Sequence, residues 1–192
     1  MPKEIEIEFK NMLSAEEFSR LLQAFHLDEG DFTLQHNDYF DTPLFSLKAQ
    51  HAALRIREKE GKCKLTLKQP GAFGLIETHQ NIRPDEAEAI RNGRGIPGGE
   101  VQNALAGLNI DMSQLKMLGR LSTKRAEILY RDGRLAFDHS FYGTKEDYEL
   151  EYEAPEAIEG EKTFLDLLNR FGIPKRPTDN KIKRLMNELS HL

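Results

Sequence analysis

The chain is 192 residues long, carries a formal net charge of -5 and contains one cysteine, Cys63. An acidic chain is a poor candidate for general nucleic-acid binding, so any anion site must come from local clusters of lysine and arginine. A single cysteine excludes an internal disulfide, and the first residues lack the basic and then apolar pattern of a secretion signal. We therefore expect one domain over 1–192, in the cytoplasm, without a membrane span.

The first predicted element is a strand whose side chains alternate strictly between apolar and charged. Ile5, Ile7 and Phe9 share one face, and the opposite face carries Glu4, Glu6, Glu8 and Lys10. A period of two is typical of a β-strand. The row of carboxylates is either a solvated face, screened by water, or a ligand set for a hard divalent cation such as Mg²⁺ or Mn²⁺.

Further strands alternate along the chain with predicted helices. The strands are expected at 33–41, 53–58, 62–69, 75–82, 117–124, 126–131, 134–140 and 148–153. Helices are expected near 14–25, 84–92, 101–108 and 160–170, and from about 178 onward. The short connections make the strands mostly antiparallel. The pattern therefore predicts an α+β fold with about eight strands in a closed or nearly closed sheet.

The charged strand faces are segregated by sign. Basic residues dominate the hairpin at 53–69, where the alternating positions are Arg55, Arg57, Lys62, Lys64 and Lys68. Acidic residues dominate the last strand, with Glu149, Glu151 and Glu153 on one face. If these faces line a closed sheet, the interior charges must be paired, hydrated or matched by a ligand. A polyanion that carries a divalent metal would match both signs.

The last predicted helix begins with a second basic cluster. Asn180, Lys181, Lys183 and Arg184 fall in its first turns. Helix N-terminal amides with cationic side chains can bind an anion, but the same residues also suit a solvated helix face. The six histidines show no metal-ligand spacing, and a surface or supporting role is expected for His79.

Short segments spread over nearly the whole chain resemble the motifs of the CYTH superfamily, the triphosphate tunnel metalloenzymes. They are Glu6-Ile7-Glu8-Phe9-Lys10 (an ExExK-like signature), Tyr39-Phe40-Asp41-Thr42, Leu54-Arg55-Ile56-Arg57, Leu65-Thr66-Leu67-Lys68, Asp147-Tyr148-Glu149-Leu150-Glu151 and Asn180-Lys181-Ile182-Lys183-Arg184. The superfamily includes class IV adenylate cyclases, thiamine triphosphatases, inorganic triphosphatases and fungal RNA triphosphatases. The overall pattern is most similar to its small bacterial single-domain members.

The resemblance implies an eight-stranded antiparallel β-barrel, a tunnel open at both ends with helices packed on the outside. It implies that Mg²⁺ or Mn²⁺ binds to catalytic carboxylates, namely Glu6, Glu8, Glu149 and Glu151. It implies that basic residues hold the triphosphate, namely Lys10, Arg55, Arg57, Lys64, Lys68, Arg125, Lys181 and Arg184. Glu77 and Asp138 match supporting acidic positions. Asn180 replaces the serine that is usual in the closing motif, and no arginine precedes Glu77 in Leu75-Ile76-Glu77.

The first functional hypothesis is a divalent-metal-dependent hydrolase of inorganic tripolyphosphate or a small organic triphosphate. The alternatives are an adenylate cyclase of the same fold and a non-catalytic sensor of a nucleotide or polyphosphate. The expected partner is a small-molecule triphosphate, with no general nucleic-acid binding and no membrane involved. The oligomeric state is left open, with a homodimer as one option.

Overall fold

The structure is a computed structural model that describes residues 3–191. Its strands are β1 (Lys3–Glu6), β2 (Glu8–Leu13), β3 (Thr33–Asp41), β4 (Ala53–Lys59), β5 (Lys62–Pro70), β6 (Leu75–Ile82), β7 (Lys116–Tyr130), β8 (Gly133–Tyr142) and β9 (Lys145–Glu153). Its helices are α1 (Ala15–Ala24), α2 (Ser46–Ala49), α3 (Pro84–Arg91), α4 (Glu100–Gly107), α5 (Ala157–Arg170) and α6 (Lys181–Leu189). No helix of this part of the chain is both long and apolar enough to cross a membrane.

The nine strands form one antiparallel sheet in the order β1-β6-β5-β4-β3-β7-β8-β9-β2. The two edge strands, β1 and β2, are consecutive in the chain and are separated only by Ile7. The sheet therefore curls until its edges meet at the N-terminal segment, and the predicted antiparallel barrel is confirmed.

The predicted strand boundaries were wrong at two places. The first predicted strand is split at Ile7, because its first half pairs with β6 and its second half with β9. The two strands expected at 117–124 and 126–131 are one strand, β7, which pairs with β3 over 116–125 and with β8 over 122–130. Both differences follow from strands that change or share partners around a curled sheet.

The apolar core lies between the outer face of the sheet and the helices. One cluster packs strand residues such as Ile56 and Leu65 against Ile90 of α3 and Leu105 of α4. A second cluster packs β8 and β9 against α1 and α5, and includes Leu21, Phe137, Leu150, Tyr152 and Leu167. Because side chains alternate along a strand, this packing turns the charged faces toward the interior of the curled sheet.

Two glycines allow close backbone contacts where the sheet closes. Gly74 has a φ of +94°, and a Cβ atom there would lie 2.5 Å from the carbonyl oxygen of Glu6. A Cβ atom at Gly133 would lie 2.3 Å from the carbonyl oxygen of Glu153. Any larger residue at either position would push the β5–β6 loop or the β7–β8 turn away from its neighbour.

Candidate active site in the tunnel

The interior of the curled sheet, which we call the tunnel, is lined by the charged faces of its strands. The strand register places residues of opposite charge side by side. Lys10 lies opposite Glu151, and Asp138 lies opposite Arg125 on one side and Glu149 on the other. Acidic and basic side chains that are far apart in the sequence are therefore neighbours in the tunnel wall.

Three buried carboxylates meet on one side of the tunnel. Asp138, Glu149 and Glu151, which we call the carboxylate cluster, place one oxygen each within 4.8 Å of the others. Their exposed fractions are 0%, 0% and 6%. Negative charges that are this close and this buried require cations beside them.

Two basic side chains hold the carboxylate cluster. Arg125 donates two hydrogen bonds to Asp138, at 2.7 and 2.6 Å, and a third to Glu151. The Lys181 ammonium lies 2.8 Å from Asp138 and 2.9 Å from Glu149, and it also donates to Glu151. Burial alone raises the pKa of Glu151, but Arg125 and Lys181 reverse this effect and hold that pKa well below its usual range.

The C-terminal helix α6 brings two of the predicted phosphate-binding residues into the tunnel. Lys181 and Arg184 lie one turn apart, and the Arg184 guanidinium donates to Glu149 at 2.7 Å and lies 3.1 Å from Asp147. The side chain of Asn180 caps the helix by accepting a hydrogen bond from a backbone amide of the first turn, at 2.9 Å. The cap fixes the start of α6, so the basic residues point at the acidic strand.

The carboxylate cluster suits a divalent cation. The Oε1 atom of Glu149 is buried and has no hydrogen-bond partner in residues 3–191. Burial raises the pKa of Glu149, which means that the present cations do not fully compensate its charge. Carboxylate oxygens are the ligands that Mg²⁺ and Mn²⁺ prefer, so an additional cation fits this donor set.

A second acidic site lies where the N-terminal segment closes the sheet. Glu6, Glu8, Glu151 and Glu153 all line a small cavity of about 40 Å³. Burial, together with the neighbouring Glu8, raises the pKa of Glu6 to about 7. Lys10 lies 3.2 Å from Glu8 and supplies one compensating charge. These converging carboxylates also fit a hard divalent cation.

Lys68 joins the first strand to the supporting glutamate. Its ammonium donates to Glu6 at 2.8 Å and lies 2.7 Å from Glu77. Burial opposes the ionisation of Glu77, but Lys68 outweighs it and lowers the pKa of Glu77 to about 2. His79 lies 3.2 Å from the other oxygen of Glu77 and bonds to Thr66 through its Nδ1 atom. Glu77 is therefore ionised and orients two neighbouring side chains.

Arg55 and Arg57 have no carboxylate partner within 4.0 Å in the part of the chain that the structure describes. The Nε atom of Arg55 is buried without a hydrogen-bond partner. Arg57 donates only to the neutral side chain of Asn37, at 3.0 Å. Burial, with Arg55 and Arg125 nearby, lowers the pKa of Arg57 to about 9. Two half-buried guanidinium groups without a carboxylate partner suit an anion.

The eight predicted phosphate-binding residues therefore divide into two groups. Those with carboxylate partners within 4.0 Å are Lys10, Lys68, Arg125, Lys181 and Arg184. Those without such a partner among residues 3–191 are Arg55, Arg57 and Lys64, and Lys64 is the exposed one. Paired cations orient the carboxylates, and the unpaired ones leave positive charge available to a ligand.

The structure adds three tunnel residues to the predicted set. Glu153 lies opposite Glu8 and belongs to the same charged face as Glu149 and Glu151, so alternation alone could have added it. Asn37 orients Arg57, and Gln35 is 2% exposed with an amide nitrogen that has no partner in the described residues. Neither neutral residue carries a charge pattern that marks it in the sequence.

One motif residue has a structural role instead. Asp41, in the Tyr39-Phe40-Asp41-Thr42 segment, accepts hydrogen bonds from the backbone amides of Thr42, Leu47 and Lys48. It therefore holds the turn that joins β3 to α2. The aspartate stops the strand and does not line the site.

Comparison with known proteins shows the same fold over nearly the whole chain. The CYTH domain model matches residues 4–186. YjbK of Bacillus subtilis strain 168, named as a candidate triphosphatase, is 49% identical over 188 residues, which cover 98% of this chain and 97% of that protein.

Two solved structures illustrate the similarity. A protein of Bacillus halodurans, named as a candidate adenylate cyclase, is 50% identical with a TM-score of 0.93, over 96% of this chain and 98% of that one. HpAC1 of Hippeastrum, named as a candidate adenylyl cyclase with a dominant triphosphatase activity, is 24% identical with a TM-score of 0.74, over 95% and 96% of the two chains. At that lower identity the second likeness concerns the fold alone.

Proposed function

The chain belongs to the CYTH domain family, and on this basis we propose that it is a divalent-metal-dependent hydrolase of a triphosphate. The observation that carries the proposal is the pair of half-buried guanidinium groups, Arg55 and Arg57, without carboxylate partners in the described residues. They share one tunnel with carboxylates that suit a metal. A triphosphate with a bound cation satisfies both sets at once.

The basic residues bind and orient the substrate in this proposal. Arg55 and Arg57 donate to phosphate oxygens, and the negative charge of the substrate offsets their mutual repulsion. Lys10, Lys64, Lys68, Lys181 and Arg184 extend the positive wall around the polyphosphate, as the sequence predicts. Arg125 is held by Asp138 and Glu151, so it orients these carboxylates as well as facing the tunnel. Such prepositioned donors stabilise charge that develops on the leaving diphosphate.

The acidic residues provide the metal ligands. Family membership implies a divalent metal, and we propose Mg²⁺ or Mn²⁺ at Glu6, Glu8, Glu149 and Glu151, with Glu153 as an additional ligand. A bound ion of this kind neutralises phosphate charge and lowers the pKa of a water molecule. Glu77 and Asp138 keep Lys68, Arg125 and Lys181 in position. No side chain needs to form a covalent bond to phosphorus.

The test is phosphate release from tripolyphosphate with Mg²⁺, with Mn²⁺ and with excess chelator. We expect turnover with metal and none with chelator. Glu8→Gln should reduce kcat/KM by at least about tenfold, because loss of even an indirect metal-site contact commonly has that effect. Glu16→Gln, a matched change on the exposed side of α1, should have no effect. Equal activity with chelator, or in Glu8→Gln, would contradict the metal assignment.

An assay with ATP distinguishes the cyclase alternative. A hydrolase releases inorganic phosphate from ATP or leaves ATP intact, whereas a cyclase forms cyclic AMP and releases diphosphate. The name of the Bacillus halodurans protein makes this control necessary. Cyclic AMP as the main product would replace the proposed hydrolysis.

A further inference from the structure

A groove of about 590 Å³ lies beside the N-terminal segment, where the edges of the curled sheet come together. Its apolar walls are formed by Ile5, Ile7, Phe73, Leu129, Ala154 and Pro155. Ile5 and Ile7 project from the face of the N-terminal segment that is opposite Glu4, Glu6 and Glu8. The charged residues Asp132, Arg134 and Glu153 complete the lining, so the groove is an apolar surface that adjoins the charged tunnel.

Three of the groove residues are unusually exposed for large apolar side chains. The exposed fractions are 69% for Ile5, 82% for Phe73 and 82% for Leu129. Single exposed apolar residues are common on proteins, but several that gather around one concave site mark a place where a ligand binds. They come from three separate segments, β1, the β5–β6 loop and the end of β7, which the curled sheet brings together.

The groove is continuous with the acidic end of the tunnel. Arg134 and Glu153 line both the groove and the small cavity that holds Glu6 and Glu8. Gly133 lies on the groove wall. Its backbone lies close to the Glu153 carbonyl, so the start of β8 packs tightly against β9 at this point. A ligand could thus place a charged end in the tunnel and an apolar end in the groove.

We propose that the groove binds the organic part of the substrate, so that the preferred substrate is an organic triphosphate with an aromatic or apolar group. The apolar walls offer nothing to a phosphate, whereas an organic group would bury them. The volume lies within the range of about 300–1,000 Å³ that is typical of small-molecule sites. Hydrolysis adds the oxygen of water to the terminal phosphorus, breaks its bridging P–O bond, and releases inorganic phosphate, the organic diphosphate and a proton.

This assignment rests on the proposed hydrolase function. A comparison of two substrate types tests the groove and the hydrolase function separately. Tripolyphosphate has no organic group and probes the tunnel alone. Thiamine triphosphate and ATP probe the tunnel and the groove together. We would measure kcat/KM for each in the wild type, in Phe73→Asp and in Leu129→Asp. Leu44→Asp is the matched control, because Leu44 is 88% exposed and lies outside the groove.

We expect each groove variant to lower kcat/KM for at least one organic triphosphate by about tenfold or more, since burial of a leucine or phenylalanine side chain is worth at least that factor. Activity on tripolyphosphate should stay within about twofold of the wild type, and Leu44→Asp should change neither. A parallel fall on all substrates, no change on any, or a change only in oligomeric state would overturn the groove assignment.

The groove assignment can also be tested if the protein does not hydrolyse any triphosphate. If wild-type protein releases no phosphate from any substrate, calorimetry with Mg²⁺ and each triphosphate measures binding instead. Weaker binding of an organic triphosphate in Phe73→Asp, with tripolyphosphate binding unchanged, would still support the groove. Equal affinities of the wild type and the variants for all ligands would reject it.

Discussion

At the scale of single residues, the central feature is a set of buried charges that the protein does not fully compensate. Arg57 has a lowered pKa and a neutral partner, Asn37. Glu6 and Glu149 have raised pKa values because they are buried near other carboxylates. Perturbed groups of both signs along one tunnel are typical of a ligand site, because a bound ligand of matching charges offsets the unfavourable free energy of these groups.

We predict that Arg57→Met separates activity from stability. The loss of a charged hydrogen bond to phosphate should raise KM about tenfold to a hundredfold, from a typical 1.5–3 kcal/mol. The melting temperature without ligand should stay the same or rise by about 2–4 °C, because a half-buried cation without a carboxylate partner is removed. Steady-state kinetics and thermal unfolding measure both quantities.

The control is Arg94→Met, which removes an exposed arginine from the loop after α3. It should leave KM unchanged. A melting temperature of Arg57→Met that falls by several degrees, together with unchanged kinetics, would mean that Arg57 stabilises the fold and does not bind phosphate.

We also predict a role for Gln35 in substrate binding. Its buried amide nitrogen lacks a partner in the described residues, so Gln35→Leu should not destabilise the protein. If the amide donates to the substrate, KM should rise about fivefold, which corresponds to the roughly 1 kcal/mol of a neutral hydrogen bond. Gln114→Leu, at an exposed position, is the control. Unchanged KM for Gln35→Leu would exclude this contact.

The charged members of the site could be predicted from the sequence, because alternation of sign along a strand is visible in one dimension. Glu6, Glu8, Arg55 and Arg57 all follow that rule. Gln35 follows the same alternation on β3 but carries no charge, so only the structure shows its burial and its missing partner. The pairing of Lys68 with two glutamates also depends on how β1 and β5 flank β6, which the sequence does not specify.

At the scale of elements, the placement of α6 depends on the segment that precedes it. Asn11 of β2 donates to the carbonyl of Pro174 at 3.0 Å and accepts from the amide of Arg176 at 2.7 Å. Arg176 in turn forms two hydrogen bonds with Glu17 of α1, at 2.8 and 2.9 Å. These contacts fix the linker from α5 to α6 and thereby the position of Lys181.

We predict that Asn11→Ala weakens both stability and activity. The buried partners left without hydrogen bonds should cost about 1–3 kcal/mol in the free energy of unfolding. A less constrained α6 should also lower kcat/KM, because Lys181 and Arg184 lose their fixed position. Urea unfolding and phosphate release provide the measurements, with Asn103→Ala on the exposed side of α4 as the control. Normal activity in a destabilised Asn11→Ala protein would mean that the linker contacts stabilise the fold but do not position Lys181 and Arg184 for activity.

The contact between Glu17 and Arg176 predicts a pH dependence of stability. The hydrogen bonds from Arg176 lower the pKa of Glu17 to about 2. A depressed carboxyl pKa contributes stability above the unfolded value of about 4.5, and the contribution is lost as the pH falls toward 2. Glu17→Gln should therefore lower the free energy of unfolding at pH 7, and the difference from the wild type should shrink at pH 3.

Urea unfolding at the two pH values tests this prediction. The expected loss at pH 7 is about 1.5–3 kcal/mol, as for other hydrogen bonds to charged groups. Glu16→Gln is the matched control on the same helix. An equal loss for Glu17→Gln at pH 7 and pH 3 would mean that its ionisation does not contribute.

Element boundaries show where a sequence pattern is insufficient. The alternation of the first strand runs unbroken through Ile7, so nothing in the sequence indicates that the strand changes partner there. In the β7–β8 hairpin the sequence Asp132-Gly133 is typical of a two-residue turn, but the turn residues are Arg131 and Asp132, and Arg131 has a φ of +50°. Gly133 is needed for the close contact with Glu153 rather than for the turn itself.

In the molecule as a whole, elements from opposite parts of the chain come together at the site. The first strand closes the sheet and the last helix inserts basic residues into it, so both ends of the chain complete the site. Sign segregation along the strands predicted a charged interior, and the curled sheet confirms the barrel that this requires. The groove at the closure was not predicted, because it depends on residues from β1, β7 and the β5–β6 loop that meet only after the sheet curls.

The uncompensated charges of both signs predict that metal and polyphosphate stabilise the folded protein cooperatively. Metal alone compensates the carboxylates but leaves the basic residues without a counter-ion. Polyphosphate alone compensates the basic residues but brings negative charge that no metal neutralises. Together they should raise the melting temperature by about 5–10 °C at a hundredfold excess over Kd, which corresponds to about 2.7 kcal/mol.

Thermal unfolding with Mg²⁺ alone, tripolyphosphate alone and both together measures the effect. The shift with both ligands should exceed the sum of the separate shifts. Glu8→Gln should reduce the joint shift by weakening metal binding, Arg57→Met by weakening phosphate binding, and Glu16→Gln should retain it. Strictly additive shifts in the wild type would mean that the acidic and basic residues bind their ligands independently, which a shared metal–triphosphate site does not allow.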